Sequence, residues 1–415
     1  MTHQRLPLIS DRDDEDRLSR RRFLAKGARF ALMAGGCHLF PGSWPASAGS
    51  DDSHDARYWA GSVGEKADCL ACHAPNASPR DLLAEKNYHQ KQPIVKCLLC
   101  AQGCVLKNGE RGRCRARINQ NGVLKSLVYG RPAAIHVDPI EKKPFYHFLP
   151  GSNAFSLGTT GCPLSCRFCQ NWEISQARPE DIRTSLYSPE EIVSSAGRRN
   201  CSVIAFTYNE PTVFIEYLTD IARQGRKQRM KSVLVSCGFM NSRPLDEMCE
   251  VLDAIKIDLK GFSPDFYRDV CRAELDPVLR SIKEISRKGV HLEIVNLVVP
   301  TLNDSQPMMT RLIEWVAGEI GPDVPVHFTR FHPAYQMLQL PPTPVSTLEM
   351  AYETAKSKGL HYPYVGNVPS HPGNHTYCPS CGKTVVERTG FFVLSNRIMN
   401  GKCPFCGRAI AGVWS

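Results

Sequence analysis

The run GTTGCPLSCRFCQNW sets Cys162, Cys166 and Cys169 in a Cys-x3-Cys-x2-Cys triplet, straight after an apolar, strand-like stretch at 153–158. Three thiolates this close can hold three irons of a [4Fe–4S] cube and leave the fourth iron without a protein ligand. An open iron can chelate a small molecule, and a cluster that both binds and reduces its guest is what cleavage of S-adenosylmethionine (SAM) requires. Electron-transfer ferredoxins bring four ligands to each cluster, and zinc sites bring paired Cys with a partner pair further along. A buried thiol cluster or a partial zinc site is the bland alternative.

The chain that carries this triplet has 415 residues, enough for one large α/β domain with small satellites. Its 42% hydrophobic and 22% charged residues are those of a globular protein, and no apolar run in the expected mature part is long enough to span a bilayer. The formal net charge of +10 raises nucleic acid as a partner. Apart from an N-terminal Arg cluster and residues 223–231, however, the basic residues are scattered, which fits a solvated basic face better. Most of the 18 Cys stand two or three residues apart, the spacing of metal ligands and not of a secreted disulfide scaffold. Cys201, Cys237, Cys249 and Cys271 stand alone in core-like segments and read as buried small hydrophobes.

From 153 to about 365 short β-branched runs alternate with helical stretches. Strands are expected at 154–159, 203–208, 232–236, 254–259, 291–299 and 326–331. Helices are expected at 189–199, 213–223, 245–251, 277–288, 307–320 and 347–358. Pro189 and Pro277 suit a helix's first turn, and Gly225 and Gly289 its end. Six such units make a curved, partial (βα)6 barrel of the α/β class, whose chemistry falls at the carboxyl ends of the strands. The triplet follows the first of these ends. Tyr208-Asn209-Glu210, Ser236-Cys237-Gly238, Asp258-Leu259-Lys260, Asn296, Arg330 and His332 follow the others, and together they predict a polar pocket.

Around this core, residues 151–368, four other regions are expected. Residues 1–48 carry Ser19-Arg20-Arg21-Arg22-Phe23-Leu24-Ala25-Lys26, a weakly apolar stretch and Ala46-Ser47-Ala48. That order is a twin-arginine export signal with its cleavage site, which predicts a periplasmic protein; a basic tail on a cytoplasmic one is the alternative. Residues 49–92 form a polar linker with a helical stretch at 79–86. It holds Cys69, Cys72 and His73 in the C-x-x-C-H pattern of c-type haem attachment, with a metal knuckle or an oxidisable pair as competitors. Residues 93–150 form an N-terminal Cys-rich module, with strand-like pieces at 123–128 and 133–137. Its Cys97, Cys100, Cys104 and Cys114 make a four-thiolate set for zinc or a closed iron–sulfur cluster. Residues 369–415 present Cys378, Cys381, Cys403 and Cys406 as two knuckles of one tetrahedral site, a zinc ribbon or rubredoxin-like module with zinc favoured.

Taken with Phe168 before its third Cys, the triplet resembles that of radical SAM enzymes, and the order of later motifs resembles their activating-enzyme branch, which includes the pyruvate formate-lyase activases. GTTGCPLSCRFCQNWEISQ, DPIEKKPFYHFLPGS, TYNEPTVF and KIDLKGF are most similar to the AmmeMemoRadiSam-system radical SAM enzymes, and the likeness runs from about Val95 to Trp414. The export signal and the C-x-x-C-H insert depart from that pattern, as does Ala101 where Pro is expected. The resemblance implies a [4Fe–4S] cluster, bound SAM and a low-potential electron donor. It implies that Asn209 and Glu210 lie near the SAM amino group, with Phe168 and Ser236 also at the cofactor, and that Asp258 and Lys260 lie near SAM or the substrate. An ion pair at a strand end is the plain alternative for Asp258 and Lys260. The reaction implied is reductive cleavage of SAM and hydrogen abstraction from a substrate, with a partner protein or a small molecule or RNA as candidates. The rival function is an exported iron–sulfur or haem electron carrier.

Overall fold

The computed structural model describes residues 53–61 and 93–415. The export signal, the Cys69–Cys72–His73 motif and the helical stretch at 79–86 lie outside the described residues.

At the centre is an eight-stranded sheet whose last seven strands run parallel. They are β8 (Asn153–Gly158), β9 (Val203–Phe206), β10 (Lys231–Ser236), β11 (Ala254–Asp258), β12 (His291–Val298), β13 (Val326–Arg330) and β14 (Pro363–Gly366). Strand β7 (Ala134–Pro139) adds antiparallel to β8, with Ile135 opposite Leu157 and Asp138 opposite Ala154. The spatial order follows the chain, β7 to β14, with β7 and β14 at the two edges. It is an open barrel. Six of these strands stand within a few residues of their expected positions. The extra parallel strand, β14, hides in Pro-Tyr-Val-Gly, whose ends read as turn residues but whose four residues are all buried.

Six helices link the strands: α1 (Pro189–Arg198), α2 (Ile215–Lys227), α3 (Ser242–Val251), α4 (Asp276–Arg287), α5 (Gln306–Glu319) and α6 (Val345–Ser357). Each is held by an apolar stripe. In α4, Val278, Ile282 and Ile285 fall on one face and are buried, each side chain stabilising by roughly 1.5–3 kcal/mol. Local signals fix the helix starts. In α1, Ser188 and Glu191 form a capping box and Pro189 occupies the first turn.

The N-terminal module consists of two small antiparallel sheets. One orders β1 (His54–Asp55), β6 (Val123–Ser126) and β5 (Arg117–Gln120); the other orders β2 (Trp59–Gly61), β3 (Val95–Cys97) and β4 (Val105–Leu106). Residues 53–61, expected in a linker, therefore pair as strands. A fully buried ion pair, Arg117–Glu216 at 2.6 Å, ties the module to α2. The main sheet also begins at Ala134, inside the span expected to belong to the module.

The C-terminal module, with β15 (Thr376–Tyr377), β16 (Thr384–Thr389) and β17 (Phe392–Asn396), packs against the segment between β7 and β8. Buried Arg388 donates to the Tyr146 carbonyl at 2.7 Å, and its guanidinium stacks 4.3 Å from the Tyr146 ring. Val413 pairs with Phe148 in strand fashion. Gly412, at φ 149°, lets the tail approach this closely, because a Cβ there would stand 2.7 Å from the His147 carbonyl oxygen.

Beneath this contact lies a polar hub near the amino ends of β12 and β13. Glu293 is fully buried and accepts from the Tyr146 and His147 amides at 3.0 and 2.8 Å, and from His291 and His327 at 3.0 and 2.7 Å. Burial pushes its carboxyl up, but the two imidazoles outweigh this and hold it well below the usual carboxylate range.

Candidate functional site

Strand β8 ends at Gly158, and the chain turns into the triplet loop along the sheet's carboxyl rim. Asn209, after β9, braces that loop: its Nδ2 donates to Thr159 Oγ1 (3.2 Å) and the Gly161 carbonyl (2.8 Å), while its Oδ1 accepts from the Thr159 amide. The next loop over, after the single-turn helix Pro264–Phe266, secures the other side. Ser165 and Arg167 amides donate to the Cys271 and Val270 carbonyls, each at 3.0 Å. The triplet's backbone is thus fixed from two sides, and Cys162, Cys166 and Cys169 line one cavity of about 300 Å³.

The remaining walls of that cavity carry most of the expected residues. Phe168 is buried there, with its ring 6.3 Å from Phe266 and the Lys260 ammonium 5.8 Å from its centre. Glu210 accepts from Thr212 and from Ser236 Oγ (2.7 Å) through Oε1, and from the Cys237 amide (2.8 Å) through Oε2. Part of its role is therefore to cap the turn Pro211–Phe214, while Ser236 orients it. Asp258 pairs with Lys256 and with Lys260 (3.3 Å), so the plain ion-pair reading of KIDLK is present at the cavity wall. Burial raises the Asp258 carboxyl, and the two ammonium groups more than reverse this, leaving its pKa below the ordinary value.

Lys143 and Lys256 of this wall had no assigned role in the sequence. Lys143 is buried, donates to Asp138 at 2.6 Å and lies 4.5 Å from the Tyr208 ring; the Tyr208 hydroxyl donates to Asp138 at 2.8 Å. Burial raises the Asp138 carboxyl, but Lys142, Lys143 and Tyr208 hold it well below the usual range. Tyr208 itself adopts φ 74°, an uncommon backbone conformation for a non-glycine residue and one that concentrates at functional sites. The available signals were a buried-type Lys in DPIEKKPF and a charged Lys256 inside an apolar strand. Cys237 and Cys271 are buried as expected, yet they are more than packing. Cys237 lines the cavity, and Cys271 lies beside Cys166.

Three expected pocket residues stand elsewhere. Asn296 is buried and donates to the Leu259 carbonyl at 2.8 Å, bracing the neighbouring strand end. Arg330 and His332 line a second cavity of about 430 Å³ with Gln170, Asn367, Gly390 and Phe391. The two cavities adjoin: Gln170 and Asn367 line both, so Arg330 and His332 stand next to the triplet cavity, against Gly390 and Phe391 of the C-terminal module.

The other two Cys sets differ in how tightly they gather. In the tail, Cys378 and Cys406 sulfurs stand 3.5 Å apart and those of Cys381 and Cys403 3.7 Å apart. All four donor atoms lie within 4.8 Å of one another, the chemistry and spacing of a four-sulfur single-ion site. Cys97, Cys100 and Cys114 are buried and Cys104 is partly exposed, and the sulfurs of Cys104 and Cys114 flank Gly112. Among the described residues, no helix is long and apolar enough to cross a membrane.

Comparison with known proteins agrees with this geometry. The Radical SAM superfamily model matches residues 156–313. An uncharacterized protein of Methanocaldococcus jannaschii is 43% identical over 321 residues, covering 76% of this chain and 95% of that protein. The pyruvate formate-lyase-activating enzyme of Listeria monocytogenes is 22% identical over 168 residues, 38% of this chain and 66% of that enzyme. Among solved structures, a radical SAM methyltransferase from Sphaerobacter thermophilus is 13% identical and covers 71% of this chain and 76% of its own, at a TM-score of 0.42, too low to carry an argument. Family membership implies a [4Fe–4S] cluster and SAM, and three thiols beside a carboxylate and an ammonium in one cavity fit both. The chain belongs to the radical SAM superfamily, among its activating-enzyme-like members, and is an enzyme.

Proposed function

We propose that this enzyme cleaves SAM reductively in the cavity at Cys162, Cys166 and Cys169 and uses the radical to take a hydrogen atom from a partner protein. The observation that carries this reading is the convergence, on one cavity, of three thiols with groups of both charges. Cys162, Cys166 and Cys169 would hold a [4Fe–4S] cluster, which would supply the chelation of SAM and the electron for its reductive cleavage.

The chain's own residues orient and shield. Glu210, held by Ser236 and the Cys237 amide, faces the SAM ammonium. Lys260 and Asp258 address its polar groups or the substrate, and Asn209 keeps the triplet loop in place. Phe168 and Leu164 form apolar wall that excludes water from a reactive radical. Zinc in the tail quartet has a structural role, consistent with a module that docks through Arg388 and Val413. A protein substrate is supported by the names of relatives at 22% and 23% identity, which are activating enzymes of pyruvate formate-lyase.

The expected result is that anaerobically reconstituted, reduced enzyme converts SAM to 5′-deoxyadenosine while Cys166→Ala does not. Equal yields would refute the reading. Export through the signal at Ser19–Lys26 belongs to the same proposal, and a mature protein that still begins at Met1 on every molecule counts against it.

A further inference from the structure

We infer that Cys97, Cys100, Cys104 and Cys114 hold a second iron–sulfur cluster, and that this site passes electrons from a carrier protein to the triplet cavity. It rests on the reading of the triplet as the site of SAM reduction.

Placement is the first observation. The quartet loop is wedged against the three loops that carry Cys162, Cys237 and Cys271. Gln102 Nε2 donates to the Pro163 carbonyl (3.0 Å) and the Arg272 carbonyl (3.3 Å). Cys100 bridges to Met240, and Asn241 Nδ2 donates to the Leu98 and Cys100 carbonyls at 2.8 and 3.3 Å. Gly161, next to Cys162 and at φ 91°, lies so close to Cys114 that a Cβ would stand 2.3 Å from the Cys114 carbonyl oxygen. The tail quartet has no such position, since its module packs at Tyr146–Phe148. The quartet loop also reaches solvent: Cys104 is partly exposed, and Val105, Lys107–Glu110 and Arg113 are exposed around it. It therefore connects the surface to the buried cavity.

Donor chemistry is the second. A single tetrahedral ion draws its four sulfurs together, whereas a cube places an iron between each thiolate and the core and holds the sulfurs further apart. Among the described residues the tail quartet is the one group whose donor atoms all lie within 4.8 Å of one another, and the Cys97 quartet does not gather in that way.

A buried cation is the third. Arg117 is fully buried beside Cys97 and Cys114, and its Nη2 is taken by Glu216. Its Nε and Nη1, with Nη1 of Arg115, are buried without an acceptor among the described residues. Buried donors left without an acceptor are destabilising. Cluster sulfides and thiolates would give them acceptors, and the guanidinium would offset the negative charge of four thiolates.

The bookkeeping is one electron in and one out for each SAM cleaved. A low-potential one-electron carrier of the ferredoxin class is oxidised at the exposed face and the triplet site is reduced; no bond forms or breaks at the quartet.

The test reconstitutes the full chain anaerobically with iron, sulfide and zinc together. Wild type should bind about eight irons and about one zinc. A variant with Cys162, Cys166 and Cys169 all changed to Ala should keep about four irons and a reducible paramagnetic signal. Cys104→Ser should slow reduction of the triplet site by a reduced ferredoxin on the order of tenfold, while 5′-deoxyadenosine formed with dithionite is retained. About four irons with two zincs in wild type would overturn the inference, as would equal ferredoxin-driven rates in wild type and Cys104→Ser. Failure of wild type to cleave SAM with dithionite would count against the triplet reading instead, because the metal content of the triple variant is independent of it.

Discussion

The two ends of the barrel bury charge in opposite ways. At the amino end, Glu293 is enclosed by four donors from His291, His327 and two backbone amides, and the tail closes over it through Arg388, Gly412 and Val413. Toward the carboxyl end, Glu210 and Asp258 share a cavity with Lys143, Lys256 and Lys260, and space is left between them. The first arrangement surrounds the Glu293 carboxylate with donors and is a stability device. The second holds charged groups ready beside a void, the arrangement a polar ligand needs. Variants at the amino end should therefore cost folding, and variants at the carboxyl end should cost chemistry.

The largest expected effect is at the hub. Glu293→Ala strands two buried imidazoles and two amides and should destabilise by about 3–5 kcal/mol; an unchanged urea midpoint would remove the distinction between the ends. Arg388→Met comes next, at about 1–3 kcal/mol, because the Tyr146 and Asn374 carbonyls lose their donor. Limited proteolysis should then release the C-terminal module before the barrel unfolds. At the opposite end, Lys256→Met should change stability by less than about 1.5 kcal/mol, since a buried charge is exchanged for an apolar chain and Asp258 keeps Lys260. Its 5′-deoxyadenosine yield should fall. A large stability loss with normal turnover would reverse the assignment of the two ends.

Acid provides a smaller and graded test. Burial pushes the His147 imidazole down to about 3, with one ring nitrogen donating to the Ala411 carbonyl and the other accepting from the Tyr364 hydroxyl. Glu293 is also depressed. Both folded-state values lie below the unfolded ones, so their stabilisation is complete above the unfolded histidine value, about 6.5, and is lost as pH falls toward 3. Glu141 has the opposite sign. Burial raises it to about 6, so protonation there offsets part of the loss. The urea midpoint should decline from pH 7 to 5, and His147→Gln should flatten that decline.

How much of this was legible in the sequence follows from chain separation. The triplet, the tail knuckles, the six expected strands and the first-turn prolines 189 and 277 are local patterns, and each lies close to its expected place. Strand β14 was missed because four buried residues bounded by Pro and Gly carry no periodicity. Arg330 and His332 fall in the adjoining cavity, where Gly390 and Phe391 come from the distant C-terminal module. The pairing of Lys143 with Asp138 and Tyr208 spans from β7 to the end of β9, a contact no local window contains.

By itself, the sequence determined the sulfur chemistry: covalent spacing decides which thiols can face one metal, and that spacing is present before any folding. Only the tertiary structure decided which thiols are neighbours across the chain. It brought Cys237 and Cys271 to the triplet, set Arg117 beside Cys97 and Cys114, and sent the tail to the end of the barrel away from the triplet. The physical reason is that sheet register and burial act over the whole chain, and each buried charge had to find its partner wherever packing placed one.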